Sequence, residues 1–259
     1  MLRRALLTLL CALFAAGPAL RAQGPRKPLS VVAAADLRGV FDELKAAFEA
    51  RTPGVELKVA FGASGSLTAQ ILQGAPFDVF LAADTGFPEQ VRKAGLATPE
   101  GPFPYALGTL TLWVRRDLGL DPARDGLQVL TSPALRKIAT ANPQVAPYGR
   151  AGEAALRHAG LYDQVRSRLV FADNIAQAAQ FLQTGTAEAG LISLAQAEHP
   201  ALRQSGIAWR VPADAYPPLR QAGVILARTQ VPEQARAFRA FLLGPEGQGI
   251  LARHGFGKP

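Results

Sequence analysis

The chain has 259 residues, with 28 lysines and arginines against 20 aspartates and glutamates and a formal net charge of +8. Hydrophobic residues make up 49% of it, which is enough for one large folded domain or two smaller lobes. The basic residues are scattered and do not cluster with aromatic residues, so no nucleic-acid partner is expected.

The N-terminus has the pattern of a secretory signal peptide. Two arginines precede an apolar run, and small residues follow it up to Ala22. This predicts a signal peptide over residues 1–22 that is too short to anchor the protein in a membrane. Cys11 lies inside the apolar run and is interpreted as part of the signal. The mature chain then has no cysteine and a charge of about +5, which predicts an exported protein without disulfides, thiolate sites or membrane insertion.

The next part of the chain alternates apolar runs with amphipathic segments, which is typical of parallel strands joined by helices. The predicted strands are residues 29–34, 55–61 and 77–82, and the predicted helices are residues 37–50, 66–73 and 85–94. Asp36 stands where the first helix begins and is expected to be its N-cap, because aspartate is among the best capping residues.

A second alternating series begins with a long strand predicted over residues 105–114. Its further strands are predicted at 136–141, 168–171, 188–194 and 207–211, and its helices at 150–159 and 175–184. A strand at 221–227, a helix at 232–243 and a C-terminal helix after Gly244-Pro245 complete the chain. Two series favour two α/β lobes, each a mostly parallel sheet flanked by helices. Residues 23–106 plus 221–259 would form lobe 1 and residues 107–220 lobe 2; a single α/β domain is the alternative.

Four strand-to-helix junctions consist of small or capping residues. They are Ala33–Asp36, Gly62–Ser66, Pro147–Gly149 and Asn174–Ile175. In open α/β sheets, ligands bind beyond the carboxyl ends of the strands, where helix N-termini present unpaired N–H groups. Two such junctions in each lobe predict a small, compact anion in the interlobe cleft, with the lobes closing over it by a hinge motion.

Six segments, taken in order, resemble the periplasmic molybdate-binding proteins of ABC importers. They are residues 31–37, 61–71 with 74–80, 103–108, 141–149, 173–178 and 255–257. The resemblance implies a two-lobed, type II periplasmic binding protein. It further implies a monomer that captures molybdate or tungstate and delivers it to a membrane permease, without a cofactor.

The resemblance also implies the residues of the site. Ser64 matches a serine whose hydroxyl and N–H hold an oxygen of the anion. Tyr148 and Ile175 fall at the backbone donors of the second lobe, although Tyr148 could instead be a rim residue over the cleft. Ala35 and Asp36 fall at the first-lobe position. The oxyanion would be held through these residues without direct metal ligands.

The pair Ala35-Asp36 departs from the pattern, because relatives commonly place Ser, Thr or Asn there. A carboxylate close to a dianion repels it. Three interpretations are open: Asp36 caps the helix with its side chain turned away, which we favour; it is protonated and donates a hydrogen bond; or the ligand is another oxyanion, such as phosphate. A further family tyrosine is replaced by Ser193, and whether Arg150 balances the ligand charge is left open.

Other functions are disfavoured by the residues. An exported hydrolase could use Ser64 with His254, but a nucleophile elbow needs glycine where Ser66 stands, and the chain order is wrong. The three histidines have no metal-ligand spacing. A periplasmic sensor domain is a third alternative, but no sensor helix is visible. The expectation is therefore a binding protein and not an enzyme.

Overall fold

The computed structural model describes residues 27–259. The predicted signal peptide and Cys11 lie outside the described residues. Within residues 27–259, no helix has both the length and the apolar character needed to cross a membrane.

The described strands form two five-stranded sheets. The first has the order β2-β1-β3-β10-β4 and the second the order β7-β6-β8-β5-β9. The strands are β1 Lys27–Ala34, β2 Val55–Gly62, β3 Val79–Ala82, β4 Phe103–Gly108, β5 Leu110–Arg115, β6 Ile138–Ala141, β7 Leu169–Ala172, β8 Ala189–Ser193, β9 Gly206–Arg210 and β10 Leu219–Ile225. In each sheet three neighbouring strands are parallel, and the strand that follows a crossing from the other sheet, β10 in the first and β5 in the second, is antiparallel to both its neighbours. The predicted pair of mostly parallel α/β sheets is confirmed.

Helices cover both sheets. They are α1 Arg38–Arg51, α2 Ser64–Leu72, α3 Gly86–Lys93, α4 Pro122–Asp125, α5 Pro147–His158, α6 Tyr162–Val165, α7 Ile175–Gln183, α8 Leu194–Ala197, α9 Pro200–Ser205, α10 Pro232–Leu243 and α11 Pro245–Arg253. A 3-10 turn, Ala35–Leu37, lies between β1 and α1. Helices α2 and α5 begin two and three residues earlier than predicted, which brings Ser64 and Tyr148 into their first turns.

The long strand predicted over residues 105–114 is wrong as a single element. It divides at Thr109 into β4 and β5, which belong to different sheets. The apolar pattern continues through the division because both halves are buried, so this pattern does not mark where one strand ends and the next begins. The chain passes from the first sheet to the second here and returns between β9 and β10.

The hydrophobic core is divided between the sheets. On one face of the first sheet, α1, α10 and α11 bury Phe41, Phe48 and Phe238, whose rings contact one another. The other face is covered by α2 and α3. The core of the second sheet extends across the cleft to four alanines of the first, Ala34, Ala35, Ala63 and Ala83. The small residues predicted at the junctions therefore form the contact surface between the lobes.

Candidate functional site

A cavity lies between the two sheets, at the carboxyl ends of their parallel strands. Its lining consists of eleven residues: Ala34, Ala35, Asp36, Gly62, Ala63, Ser64, Ala83, Ala146, Pro147, Tyr148 and Ile175. All five residues predicted for the site, Asp36, Ser64, Tyr148, Ile175 and Ala35, are among them. The cavity is small, about 10 Å³ in volume, and ten of its eleven lining residues are buried, so only a compact ligand fits without movement.

Ser64 is the first residue of α2, and its side chain is almost fully buried. Its Oγ accepts a hydrogen bond of 3.0 Å from the N–H of Ala83, which leaves the hydroxyl hydrogen to donate into the cavity. The preceding residue, Ala63, has no side chain that could cap the helix. The first N–H groups of α2 are therefore available to partners other than a capping side chain.

The second lobe contributes two further helix starts. Helix α5 begins at Pro147 after Ala146, and no side chain caps it, so the N–H of Tyr148 is uncapped. Helix α7 begins at Ile175 after Asn174, whose side chain accepts from the N–H groups of Ala176 and Gln177, both at 3.1 Å. Asn174 leaves the N–H of Ile175 uncapped. Each helix thus offers a backbone donor at the cavity.

The expectation that Asp36 caps the first helix is wrong. Asp36 lies within the 3-10 turn, and its side chain caps neither this turn nor α1. It is fully buried, and its Oδ2 accepts a hydrogen bond of 2.5 Å from Nε2 of Gln221 in β10. Its Oδ1 has no hydrogen-bond partner among the described residues. Removal from water raises the pKa of Asp36 to about 6, and this outweighs the opposing effect of the polar groups of Gln221 and Tyr148.

The side chain of Tyr148 crosses the cleft and is not a rim residue. It is buried. Its ring packs in the hydrophobic core of the second lobe, and its hydroxyl lies against Gly108 at the end of β4 in the first lobe. A Cβ atom at Gly108 would stand 2.3 Å from this hydroxyl and 2.9 Å from Nε2 of Gln221. The end of β4 therefore has to be glycine for Tyr148 and Gln221 to meet beside Asp36. Burial and the nearby carboxylate raise the pKa of Tyr148, so it stays a neutral phenol.

Polar contacts hold the lobes together around the cavity. The N–H of Gly65 donates to the carbonyl of Val145 at 2.9 Å. Nε2 of Gln196 donates to the carbonyl of Ala35 at 3.1 Å.

A further pair closes the rim of the cleft. A guanidinium nitrogen of Arg150 lies 2.5 Å from Oδ2 of Asp84, and the guanidinium stacks over the ring of Phe87 at 5.2 Å. Arg150 does not line the cavity. Its charge is used between the lobes, at the edge of the site.

Three residues of the site escaped the sequence analysis. Gln221 and Tyr105 form a hydrogen-bonded chain behind Asp36, in which the Tyr105 hydroxyl lies 2.7 Å from Oε1 of Gln221. Gly108 makes room for them, as described above. The available signal was a glutamine and a tyrosine within otherwise apolar strands, since a buried polar residue needs a partner. Ser193, expected at a family tyrosine, is buried and caps α8 through Oγ.

The cavity has few groups suited to catalysis or metal binding. Of its lining residues, only Asp36 carries a charge at neutral pH, and neither lysine, arginine nor histidine lines it. His254 lies instead on the surface of the first lobe, 2.8 Å from a carboxylate oxygen of Glu43. Within residues 27–259, no group of three or more His, Cys, Asp or Glu could hold a metal ion. The arrangement can bind an anion through neutral donors, of which the Ser64 hydroxyl is one.

Comparisons with known proteins agree with this geometry. Residues 29–257 match the family of bacterial extracellular solute-binding proteins. The chain is 37% identical over 229 residues to the molybdate-binding protein ModA of Azotobacter vinelandii, covering 88% of this chain and 89% of that protein. It is 36% identical to ModA of Rhodobacter capsulatus, covering 83% of this chain and 82% of the relative.

A solved structure extends the similarity to three dimensions. The Azotobacter vinelandii periplasmic molybdate-binding protein superposes with a TM-score of 0.83 at 36% identity, covering 89% of this chain and 99% of that one. A sulfate-binding protein from Mycobacterium tuberculosis, at 17% identity and a TM-score of 0.70, shares the fold. With its two sheets, its closed interlobe cavity and these similarities along nearly all the described chain, the protein belongs to the bacterial extracellular solute-binding protein family.

Proposed function

We propose that the protein captures a tetrahedral oxyanion, molybdate or tungstate, outside the cytoplasm and delivers it to the membrane permease of an ABC importer. The observation that carries the proposal is the small, buried cavity between the lobes, where the Ser64 hydroxyl and the first turns of α2, α5 and α7 face one volume. Relatives at 36–37% identity are molybdate-binding proteins, which supports the choice of ligand.

Neutral donors suit this task. A hydroxyl and backbone N–H groups can surround all sides of a small oxyanion, and each helix start contributes roughly 0.3–1 kcal/mol of charge–dipole stabilisation. Because Ser64, Tyr148 and Ile175 are fixed by helices, the size of the cavity selects among anions of the same charge. Ala35 and Asp36 complete the first-lobe wall. We infer that no cofactor takes part and that the anion is released unchanged.

The proposed setting follows from the same family. The predicted signal peptide would export the protein and be removed after Ala22. The mature protein would then carry the anion to its permease as a monomer in the periplasm. The closed lobes would present a joint surface that exists only around a bound ligand.

A second ligand class is favoured by one observation. The free Oδ1 of Asp36 is a buried acceptor, and a protonated oxyanion such as phosphate has a hydrogen to donate to it. Molybdate and phosphate therefore differ in what they require of Asp36.

Calorimetric titration of the protein with molybdate, tungstate, sulfate and phosphate tests the proposal. We expect one molybdate or tungstate per chain, bound far more tightly than sulfate or phosphate. Tight binding of phosphate with no response to molybdate would overturn the choice of ligand. Absence of binding by all four anions would overturn the proposed function.

A further inference from the structure

The carboxyl group of Asp36 is in an unusual state. It is fully buried, lines the cavity and has one oxygen, Oδ1, without a hydrogen-bond partner among the described residues. An ionised carboxylate oxygen left unpaired away from water is unfavourable. The Tyr148 hydroxyl and the N–H groups of Asp36 and Leu37 lie close enough to lower the pKa of this carboxyl group, but none of them makes a hydrogen bond to Oδ1. In the working protein, either a proton on Oδ1 or a donor on the ligand would satisfy this oxygen.

The chain of hydrogen bonds behind Asp36 decides which oxygen can carry a proton. The Tyr105 hydroxyl donates to Oε1 of Gln221 at 2.7 Å and also lies 3.1 Å from the carbonyl of Ala82. With its Oε1 occupied, Gln221 turns its Nε2 to Asp36, so Oδ2 is an acceptor. A proton on Asp36 therefore sits on Oδ1, the oxygen without a partner.

No cation near Asp36 stabilises its charged form. The groups that face it are neutral: Tyr148 from α5, Gln221 from β10 and Tyr105 behind Gln221. Tyr216 lies close enough to Tyr148 to help raise its pKa, and the carboxylate of Asp84 helps raise the pKa of Tyr105.

The remaining elements packed on the 3-10 turn do not change this. Helices α7 and α8 contain no ionisable residue. Strand β2 carries Glu56 and Lys58, towards its far end from Gly62. In α1, Arg38 is exposed and stacks over the ring of Phe61 at 4.8 Å, and Asp42 is exposed one turn further along. Burial without a compensating cation favours the protonated carboxyl.

An arriving dianion strengthens this preference. Molybdate and tungstate carry two negative charges and no hydrogen at neutral pH, so they can neither donate to Oδ1 nor tolerate its charge at contact distance. The two negative groups become compatible when one proton from solvent joins Oδ1. The carboxyl group then changes from a repelling acceptor to a donor.

We propose that Asp36 binds the oxyanion as the neutral acid, donating Oδ1–H to a ligand oxygen, so that each dianion enters the closed cleft together with one proton. This rests on the proposed function and adds to it a role for the residue that departs from the family pattern. Asp36 thereby becomes a determinant of specificity: it admits an unprotonated dianion only with a proton from solvent.

The test is the number of protons taken up per molybdate. We expect titration calorimetry at pH 7.5, in two buffers of different ionisation enthalpy, to show close to one proton bound per anion. With the free carboxyl titrating near pH 6, the Kd for molybdate should rise about tenfold between pH 7 and 8.

The variant Asp36→Asn supplies the matched comparison. Its amide can accept from Gln221 with one end and offer a permanent N–H donor with the other. We expect it to bind molybdate without proton uptake, with a Kd that does not change between pH 6 and 8, and at least tenfold more tightly than the parent at pH 8.

The outcomes separate the two proposals. If the parent binds molybdate with no proton uptake and an unchanged Kd between pH 6 and 8, the role of Asp36 is overturned and the proposed function stands. If the parent binds phosphate tightly and Asp36→Asn abolishes this, Oδ1 accepts a hydrogen from the ligand, and the donor role is again overturned. If neither protein binds molybdate at pH 6, the proposed function itself fails.

Discussion

The contact between Arg150 and Asp84 gives a prediction about the closed state. Arg150 lies on α5 of the second lobe, whereas Asp84 and Phe87 belong to the first. Because Arg150 contacts Asp84 and Phe87 across the cleft, opening of the lobes would separate these groups. We therefore expect Arg150→Ala to weaken anion binding without touching the ligand.

The size of the effect follows from exposure. The side chains of Arg150 and Asp84 are 44% and 21% exposed, so solvent screens the ion pair, and such pairs contribute about 0.2–1 kcal/mol. The guanidinium over Phe87 adds about 0.5–1 kcal/mol at an exposed site. Together they stabilise the closed state by about 1–2 kcal/mol, which corresponds to a Kd roughly 5- to 30-fold higher in the variant.

Arg157 provides the matched control on the same helix. It pairs with Glu153 at 2.7 Å and lies over the ring of Tyr162 at 3.9 Å, so it makes the same two kinds of interaction entirely within the second lobe. Arg157→Ala should lower the stability of that lobe and leave the Kd for molybdate unchanged.

Calorimetry and stopped-flow kinetics measure the two variants. Most of the change for Arg150→Ala should appear in the dissociation rate, because the contact forms only on closure. The difference in Kd from the parent should shrink as salt is raised from about 0.05 to about 0.5 M, because dissolved ions screen the exposed ion pair. A parental Kd for Arg150→Ala, or an equal loss in Arg157→Ala, would refute the assignment of this contact to lobe closure.

Three further predictions concern the site and its support. Ser64→Ala should raise the Kd for molybdate by roughly 5- to 150-fold, because a hydrogen bond to a charged group contributes about 1–3 kcal/mol. The surface variant Ser205→Ala should leave the Kd unchanged. Equal affinities of the parent and Ser64→Ala in calorimetry would show that Ser64 only shapes the start of the helix. Gly149→Ala should lower the free energy of unfolding by about 1–3 kcal/mol, because its Cβ would stand 2.3 Å from a backbone oxygen of β6. The Cβ of Gly39→Ala would meet nothing within 4 Å, so this variant should raise the free energy of unfolding by about 0.5–1 kcal/mol. Denaturant titration compares the two variants, and an unchanged stability of Gly149→Ala would contradict the packing. Folding raises the pKa of Asp36 from 3.8 to about 6, so its contribution to folding stability is favourable at low pH and is lost as pH rises through this range. Thermal unfolding should therefore show Asp36→Asn gaining up to about 3 kcal/mol of stability over the parent between pH 4 and 7. A difference in stability that does not change with pH would contradict the shift.

Much of the fold could be predicted from the sequence because local patterns specify it. The apolar runs of β1, β3 and β8 and the helical spacing of α1 appear directly in the residues. The small residues before α2 and the proline of α5 mark where chain reversals bring backbone close to a ligand. The lobe boundaries at 106/107 and 220/221 stay predictions.

The sequence by itself determined the elements, their alternation and four of the positions around the cavity by type: a serine, two helix starts and a small residue. Only the tertiary structure decided which sheet β4 and β5 belong to, and what becomes of Asp36. A capping aspartate and a buried acid are the same residue in the sequence. The difference arises from Gln221, 185 positions away, and from the hydroxyl groups of Tyr105 and Tyr148. These groups surround the carboxyl group only when strands from both ends of the chain meet in one sheet and the second lobe closes over it.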